Sequence, residues 1–413
     1  MVTASVTEAG TRTISGLITE RRGLTVEARG TGKITSAGRA SLTRTSPIPR
    51  PHLAGGLRLA FSCAFILLIG AVAGCSGSSS ASPGRGAGSG SLAGGQPATA
   101  QSGAPSARGA ATNLDYSQDV EDPTSVSCPS ASFCMAVLQS GYAAIYDGTT
   151  WSRPVRLSSS GGEPDSVSCP TVSFCMAVDA RDSSALLFNG STWSSAPSIN
   201  DPVSSTQTGM ASVSCPSPSF CAAVDNGSNA FTYNGTSWSP AAVIDPGNQL
   251  STVSCPSTSF CAAVDYGPDV VTFNGTSWGK PSAIDPSTYL QAVSCASASF
   301  CVAIDRKGNA LTFNGRKWSA PVTADPNGLT MGEGGISWPV VSCPAIDFCA
   351  AVDGNDGDLV TFDGSSWSAP VTIDSKAAKS DQEPVLIFLM SVSCRSARFC
   401  VAGDSSGDAF VVL

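Results

Sequence analysis

A pair of cysteines separated by five residues recurs along this chain, and each pair opens a similar segment. The segment is clearest at residues 252–281, TVSCPSTSFCAAVDYGPDVVTFNGTSWGKP. A repeat of this kind overrides the number of domains that a chain of 413 residues would otherwise predict, because repeated units share one architecture. Fourteen of the sixteen cysteines form seven such pairs: Cys128 with Cys134, Cys169 with Cys175, Cys215 with Cys221, Cys255 with Cys261, Cys295 with Cys301, Cys343 with Cys349, and Cys394 with Cys400.

Each copy predicts four short strands. In the segment TVSCPSTSFCAAVD, two apolar runs flank a Pro-Ser turn and predict a hairpin with the two cysteines on facing strands. The segment VVTFNG predicts a third strand, and SWGKPSAID predicts a fourth that begins at Trp278. The second strand, CAAV, is apolar on both faces, so each sheet should be covered on both sides. Seven radial sheets meet that requirement and predict an all-β, seven-bladed β-propeller of four-stranded antiparallel blades.

The two ends of the repeat region predict how the ring closes. The last copy, SVSCRSARFCVAGDSSGDAFVVL, stops after its third strand. A counterpart of the missing strand occurs at the other end, where YSQDVEDP at Tyr116–Pro123 matches WSAPVTADP at Trp318–Asp325 and the proline that follows. We therefore expect an N-terminal strand that contains Tyr116 to complete the last blade of a propeller spanning residues 113–413.

These units resemble the repeats of exported bacterial β-propellers with VSCPSxSFCxAVD and FNGxSWSxP segments. They resemble more loosely the Asp-box propellers, whose turns combine Asp, Gly and Trp. The resemblance covers residues 116–413. It implies the fold but no single activity, because propellers include hydrolases, lyases, lectins and protein scaffolds.

An uncharged apolar segment, residues 58–74 after its leading arginine, precedes the repeats. It is shorter than a membrane span of about 20 residues. Its end, VAGC, resembles the lipobox of bacterial lipoproteins, which implies a signal segment and a lipid on Cys75. A plain signal peptide or an uncleaved anchor is the alternative. Residues 1–57 are predicted to be a disordered tail or a mis-assigned start, and residues 75–112 a flexible Gly-, Ser-, Ala- and Pro-rich tether. The expected location is the extracytoplasmic face of the cell membrane.

The charge and the cysteines exclude several classes of function. Removal of residues 1–74 leaves 14 basic and 28 acidic residues, a net charge of −14, which argues against nucleic acid as a partner. The only histidine, His52, also precedes Cys75. Zinc sites space their cysteines more closely and often add histidine, so the pairs predict disulfides. No cofactor and no metal site is predicted, and DGNDGD at Asp353–Asp358 lacks the spacing of an EF-hand loop.

The connections between copies predict the functional face. The CPSxSFC and NGxSW turns keep their lengths, whereas the fourth-to-first connections carry insertions at Asn200–Ala211, Ala324–Val340 and Asp374–Met390. These connections should share one face with the second-to-third connections, and variation confined to one face is typical of a binding surface. Four residues of these loops are candidate ligand contacts, with loop packing or solvated charge as the alternative: Glu333, Trp338, Asp381 and Glu383.

Two classes of function remain. A membrane-anchored binding or scaffold protein would use the variable face to bind a protein or a glycan. The alternative, a glycan-cleaving propeller such as a sialidase-like hydrolase or lyase, needs a general acid and a base or nucleophile. The chain after Cys75 has no histidine and only four glutamates, and the aspartate that ends AVD recurs in nearly every copy, as expected of a turn-stabilising residue. These features favour binding, and no catalytic residue is assigned.

Overall fold

The computed structural model describes residues 2–6, 12–20, 24–32, 111–114, 123–158, 162–181, 183–199, 209–325, 340–352, 357–375 and 388–412. The chain divides into two compact units, residues 1–95 and 96–413. Within the described ranges, no helix is long and apolar enough to cross a membrane. Cys75 and the apolar segment before it lie outside the described residues, so the lipid anchor and the signal segment stay predictions.

The first unit contains a three-stranded antiparallel sheet that the sequence did not predict. Its strands are β1 (Val2–Val6), β2 (Arg12–Glu20) and β3 (Leu24–Gly32). We expected no regular structure here because the segment lacks hydrophobic periodicity. Strands that are neighbours in sequence can nevertheless pair across short turns, since the ladder is made by backbone groups.

The second unit is a seven-bladed β-propeller, as predicted, and each blade is a four-stranded antiparallel sheet. The first strands of blades 1 to 7 are β5 (Pro123–Ser130), β9 (Pro164–Thr171), β13 (Met210–Ser217), β17 (Leu250–Ser257), β21 (Leu290–Ser297), β25 (Val340–Ala345) and β29 (Leu389–Ser396). The second strands are β6 (Phe133–Leu138), β10 (Phe174–Asp179), β14 (Phe220–Asp225), β18 (Phe260–Asp265), β22 (Phe300–Asp305), β26 (Phe348–Val352) and β30 (Phe399–Asp404).

The outer half of each blade is formed by the third and fourth strands. The third strands are β7 (Tyr142–Tyr146), β11 (Ala185–Phe188), β15 (Asn229–Tyr233), β19 (Asp269–Phe273), β23 (Asn309–Phe313), β27 (Asp358–Phe362) and β31 (Asp408–Val412). The fourth strands are β8 (Val155–Arg156), β12 (Trp193–Ser195), β16 (Ala242–Val243), β20 (Ser282–Ala283), β24 (Val322–Thr323), β28 (Val371–Thr372) and, in blade 7, β4 (Thr112–Asn113).

The first strands surround the propeller axis, and each contacts the first strands of both neighbouring blades, including β29 with β5. A ring of hydrogen bonds links them. In every blade the N–H of the first cysteine donates to a serine Oγ of the preceding blade, at 2.9–3.0 Å. The serine stands directly before the first cysteine in all seven blades: Ser127, Ser168, Ser214, Ser254, Ser294, Ser342 and Ser393. This explains why the repeat keeps Ser-Cys at this position.

The seven predicted disulfides are confirmed, and each joins the two cysteines of one C-x5-C segment, with Cα atoms 3.9–4.1 Å apart. The bonds join Cys128 to Cys134, Cys169 to Cys175, Cys215 to Cys221, Cys255 to Cys261, Cys295 to Cys301, Cys343 to Cys349, and Cys394 to Cys400. The cysteines face each other across the hairpin of the first and second strands, as the register Cys295 to Cys301 shows in blade 5. Every blade therefore carries its own covalent cross-link.

The apolar core lies between blades. Each of seven buried clusters combines side chains from two neighbouring blades. In the second strand of blade 4, Ala263 packs toward blade 3, while Ala262 and Val264 pack toward blade 5, and all three are fully buried. This alternation confirms that the CAAV segment is covered on both sides.

The fourth strands are shorter than predicted. Trp278 forms only an isolated bridge with Phe273, and the ladder resumes at Ser282–Ala283. Pro281 lies between them and has no N–H to donate, so the ladder is interrupted at this residue. The tryptophan ring still packs on the phenylalanine ring, with centroids 5.4 Å apart.

The Asn-Gly turn between the third and fourth strands packs on the disulfide hairpin of its own blade. In blade 4 the Asn274 Oδ1 accepts the N–H groups of Thr276 and Ser277 at 3.0 Å. Gly275 has a φ of +91°, and a Cβ there would lie 3.1 Å from the Cα of Ser259. Both observations explain the glycine of NGxSW. The turn belongs to the face opposite the second-to-third connections, since strand direction alternates within a blade.

An N-terminal strand closes the last blade, as predicted, but it is not the segment that contains Tyr116. The pairs are Asn113 with Asp408 and Thr112 with Ala409. Leu114 then donates its N–H to the Gly407 carbonyl and is fully buried between blades 7 and 1. The match of YSQDVEDP to a fourth strand was therefore wrong in register: the closing strand precedes Tyr116, which itself lies outside the described residues.

Candidate binding site in the axial cavity

A cavity of about 730 Å³ lies on the propeller axis. Its walls are residues near the start of the first strands, together with residues that follow the second strands, such as Gln139, Tyr266 and Ser405. These two groups meet because the N–H of Tyr266 donates to the carbonyl of Gln249, at the end of a fourth-to-first connection. The two kinds of connection thus share one face, as predicted, and the cavity lies at that face.

The cavity wall includes one strand position at which the blades carry different side chains. Four residues before the first cysteine, the described blades carry six different side chains: Thr124, Asp165, Ala211, Ser251, Gln291 and Met390. Two residues further along the strand every blade has valine, and the next residue is always serine. The valines and serines have the same structural role in every blade. The side chain at the variable position is not fixed by the fold, and at this position Asp165 and Gln291 line the cavity.

Two buried side chains at the cavity have polar atoms without partners. Gln291 is 3% exposed, and neither its Nε2 nor its Oε1 forms a hydrogen bond. Ser391 is 5% exposed, and its Oγ also has no partner. At the position equivalent to Ser391, the hydroxyl groups of blades 1 to 4 accept the N–H of a valine in the next blade. Buried polar groups without partners cost about 1–3 kcal/mol each, so native structures rarely retain them without a function.

The described part of the cavity wall carries one carboxyl group, Asp165. Burial, together with the charges of Asp179 and Glu163, raises the pKa of Asp165 to about 6. Glu163 is itself paired with Arg181. Burial also raises the pKa of Tyr266 in blade 4, with a second contribution from the negative charge of Asp165. The described lining residues include no lysine, arginine or histidine, and Asp165 is the only acidic residue among them.

The recurrent aspartate of AVD stabilises turns, as the sequence predicted. In blade 3 the Asp225 Oδ1 accepts the N–H groups of Gly227 and Asn229, at 2.8 and 2.7 Å. The carboxyl group is fully buried and also accepts the Asn229 amide at 2.7 Å. The same turn is built around Asp305 in blade 5 and Asp404 in blade 7. These carboxylates organise the second-to-third connections and do not line the cavity.

Among the described residues, one cluster of carboxylates has the spacing to share a metal ion. Asp245, Asp265 and Asp269, at the junction of blades 3 and 4, have ligand atoms within 4.8 Å of one another. Burial raises the pKa of Asp265 to about 6, and the charges of Asp245 and Asp269 contribute. The buried Oδ2 atoms of Asp245 and Asp265 have no hydrogen-bond partner, and the sequence predicted no metal site.

The loop residues singled out from the sequence lie outside the described residues: Glu333, Trp338, Asp381 and Glu383. Their role in ligand binding stays a prediction. Of the DGNDGD segment at Asp353–Asp358, only the last two residues are described. Sequence reasoning missed Asp165, Gln291 and Ser391. A signal for Asp165 and Gln291 existed, because they occupy the one register of the first strand that differs in nearly every copy.

The fold resembles solved propeller structures. The structure of YCF48 bound to D1 peptide is 15% identical, covers 73% of this chain and 94% of that chain, and gives a TM-score of 0.55. The WD40 β-propeller domain of Doa1 is 12% identical, with 73% and 95% covered and a TM-score of 0.55. YCF48 from Cyanidioschyzon merolae is 15% identical, with 73% and 98% covered and a TM-score of 0.51. No family model and no curated protein matches the sequence.

These observations define the class of the protein. It is a seven-bladed, disulfide-linked β-propeller with a polar cavity on its axis. The low identities of the similar structures show the fold alone.

Proposed function

We propose that this protein is a non-catalytic binding protein that holds a segment of a partner protein in its axial cavity. In this proposal a lipid on Cys75 anchors it to the extracytoplasmic face of the membrane, and the tether holds the propeller away from the bilayer. The observation that carries the binding role is the cavity of about 730 Å³ with the unpartnered polar atoms of Gln291 and Ser391. A bound polypeptide would supply the missing hydrogen-bond partners.

Two further observations support binding of a protein. The described cavity wall has a single carboxyl group, whereas glycoside hydrolysis generally uses a pair of carboxyl groups on either side of the scissile bond. The similar structure of YCF48 is, by its title, bound to D1 peptide. That relative shares the fold at 15% identity, and its peptide supports the kind of partner proposed here without identifying it.

Site-specific photo-cross-linking in intact cells tests the binding face. We expect a benzoylphenylalanine at Gln139, which is exposed at the cavity rim, to form a covalent adduct of one defined mass with another protein. The same group at Thr276, exposed in an Asn-Gly turn on the opposite face, is the matched control and should form none. Adducts of equal yield from both positions, or none from Gln139, would contradict the proposed face.

Mass spectrometry of the membrane fraction tests the anchor. We expect a mature chain that begins at a lipid-modified Cys75, because the VAGC sequence places the thiol at the lipidation position. The Cys75→Ser variant should lose both the lipid and the membrane association. A chain that begins at Met1, or an unmodified chain released into the medium, would show that the anchor is absent.

A further inference from the structure

The ionisable groups of the axial cavity limit what it can bind. Its described wall consists mainly of serine, threonine and valine, and its only ionisable side chains are Asp165 and Tyr266. No described cation or hydrogen-bond donor is paired with the Asp165 carboxylate. A ligand with negative charge would meet this carboxylate at low dielectric, where like charges repel strongly. A ligand with positive charge would neutralise it.

Gln291 adds a second requirement. Its side-chain amide offers two donor hydrogens and an acceptor oxygen, and all of them are buried without a partner. A peptide group presents the complementary acceptor and donor. The residue lies in blade 5 and Asp165 in blade 2, so the two groups border the same cavity from different sides of the ring. A ligand that satisfies both must combine a cationic group with a peptide backbone.

Resting on the function proposed above, we propose that the axial cavity recognises a lysine or arginine side chain of the partner protein. The ammonium or guanidinium group lies against the Asp165 carboxylate, and the Gln291 amide hydrogen-bonds the backbone of the same segment. The Ser391 hydroxyl, unpartnered and 5% exposed, is a further acceptor for the bound segment. Charge-assisted hydrogen bonds of this kind are roughly twice as strong as neutral ones.

The electrostatics of Asp165 agree with this arrangement. Its pKa is raised to about 6 by burial and by the charges of Asp179 and Glu163. Tyr266 also interacts with the charge of Asp165, and its own pKa is raised. Of the two neighbouring acids, Glu163 is paired with Arg181. A bound cation favours the ionised carboxylate and so offsets these effects. Binding should therefore strengthen as the pH rises through about 6, by up to about tenfold between pH 5 and pH 7.

Calorimetric titration of the purified full-length chain with capped pentapeptides tests the inference. The probes are Gly-Gly-X-Gly-Gly with X as lysine, arginine, Nε-acetyl-lysine or glutamate. We expect the lysine and arginine peptides to bind at least tenfold more tightly than the other two at pH 7.5, and to lose about tenfold at pH 5. Equal affinities, or preference for glutamate, would overturn the proposal. So would displacement of the lysine peptide by a neutral tetrasaccharide.

Two variants separate the roles of the residues. Asp165→Asn should abolish the preference for lysine over acetyl-lysine and the pH dependence. Gln291→Leu should weaken the binding of the lysine and acetyl-lysine peptides by the same factor. It should not lower the melting temperature, because the Gln291 amide has no hydrogen-bond partner in the free protein. The charge-matched control is Asp147→Asn, in an exposed turn where blades 2 to 5 already carry asparagine. It should change neither the preference for lysine over acetyl-lysine nor the pH dependence of peptide binding.

The outcome also separates this inference from the proposed function. A cross-link at Gln139 without any preference for cationic peptides would leave a protein-binding face and refute the recognition of a basic side chain. If the Asp165→Asn variant has a normal melting temperature and still prefers the lysine peptide, recognition of a basic side chain by Asp165 is also refuted. Loss of the Gln139 cross-link as well would overturn both.

Discussion

Replacement of Leu114 by alanine is expected to lower the free energy of unfolding by about 2–5 kcal/mol, the range for a buried leucine. Leu114 is fully buried and packs among Val126 and Leu138 of blade 1 and Val401 of blade 7. The segment that carries it joins the first and last blades of the ring. Leu114 therefore stabilises the junction between blade 7 and blade 1, where the ring is closed by non-covalent contacts between the two ends of the repeat region.

The control for this variant lies in the equivalent strand of another blade. Val243, in the fourth strand of blade 3, is 63% exposed, and Val243→Ala should change stability by less than about 0.5 kcal/mol. Both variants are compared by urea unfolding followed by tryptophan fluorescence. The Leu114 variant should also aggregate more readily, because loss of β4 exposes the edge of β31. Equal effects of the two substitutions would refute closure by Thr112–Leu114.

The repeated residues made the fold predictable from the sequence. The paired cysteines, the Asn-Gly turns and the doubly apolar second strand each have a structural role in one blade, and seven copies of that blade leave few alternatives to a ring. The sequence predicted that an N-terminal strand closes the last blade, but it placed that strand at the wrong residues. Thr112–Leu114 lacks the tryptophan and the proline that mark other fourth strands, so pattern matching selected the nearby YSQDVEDP instead. What places the strand is burial of Leu114 between blades, which no local pattern records.

The candidate site was harder to predict, because its residues come together only through ring geometry. Gln291 and Ser391 are 100 residues apart, and Asp165 is more distant still in sequence from Ser391. Nothing in the strand LQAVSC indicates that the glutamine amide will lack partners, since that depends on the side chains of other blades. The sequence did indicate the face on which the cavity lies, through the lengths of the fourth-to-first connections. It directed attention to the insertions in those connections, whereas most of the described residues that line the cavity belong to the first strands.

The protein is expected to become more stable as the pH falls from 8 to about 5. Burial raises the pKa of Asp265 to about 6 and that of Asp404 to about 7, with further contributions from neighbouring carboxylates. A carboxyl group whose pKa is higher in the folded state than in the unfolded state binds its proton more tightly when folded. Stability is therefore gained on protonation and is lost as the pH rises from about 4 through 6 to 7.

Other carboxylates set the lower limit of this window. Hydrogen bonds from Thr149 and Thr150 lower the pKa of Asp147 to about 2, and Ser365 and Ser366 do the same for Asp363. These groups stabilise the fold above about pH 4, and that stabilisation is lost on further acidification. We therefore expect the melting temperature to be highest near pH 4 to 5.

At pH 8, Asp269→Asn is expected to remove much of the free-energy cost of burying the ionised Asp265 carboxylate. In blades 3 and 5 the residue four positions after the turn aspartate is asparagine, and its Nδ2 donates to the aspartate Oδ2 at 2.7 and 2.8 Å. Blade 4 has Asp269 at this position, and the buried Oδ2 of Asp265 has no partner. The substitution supplies the missing donor and removes a negative charge, which should stabilise the fold by about 1–3 kcal/mol.

Calorimetric melting at pH 8 and pH 5, with EDTA present to remove any divalent cation from the three carboxylates, measures this gain. Protonated Asp265 carries its own donor hydrogen, so the advantage of Asp269→Asn should fall below about 1 kcal/mol at pH 5. The converse variant, Asn309→Asp in blade 5, removes the donor to Asp305 and should destabilise the fold, more at pH 8 than at pH 5. If Asp269→Asn lowers the melting temperature at pH 8, or if the two variants respond to pH in the same direction, the unpaired Asp265 oxygen is not the source of the penalty.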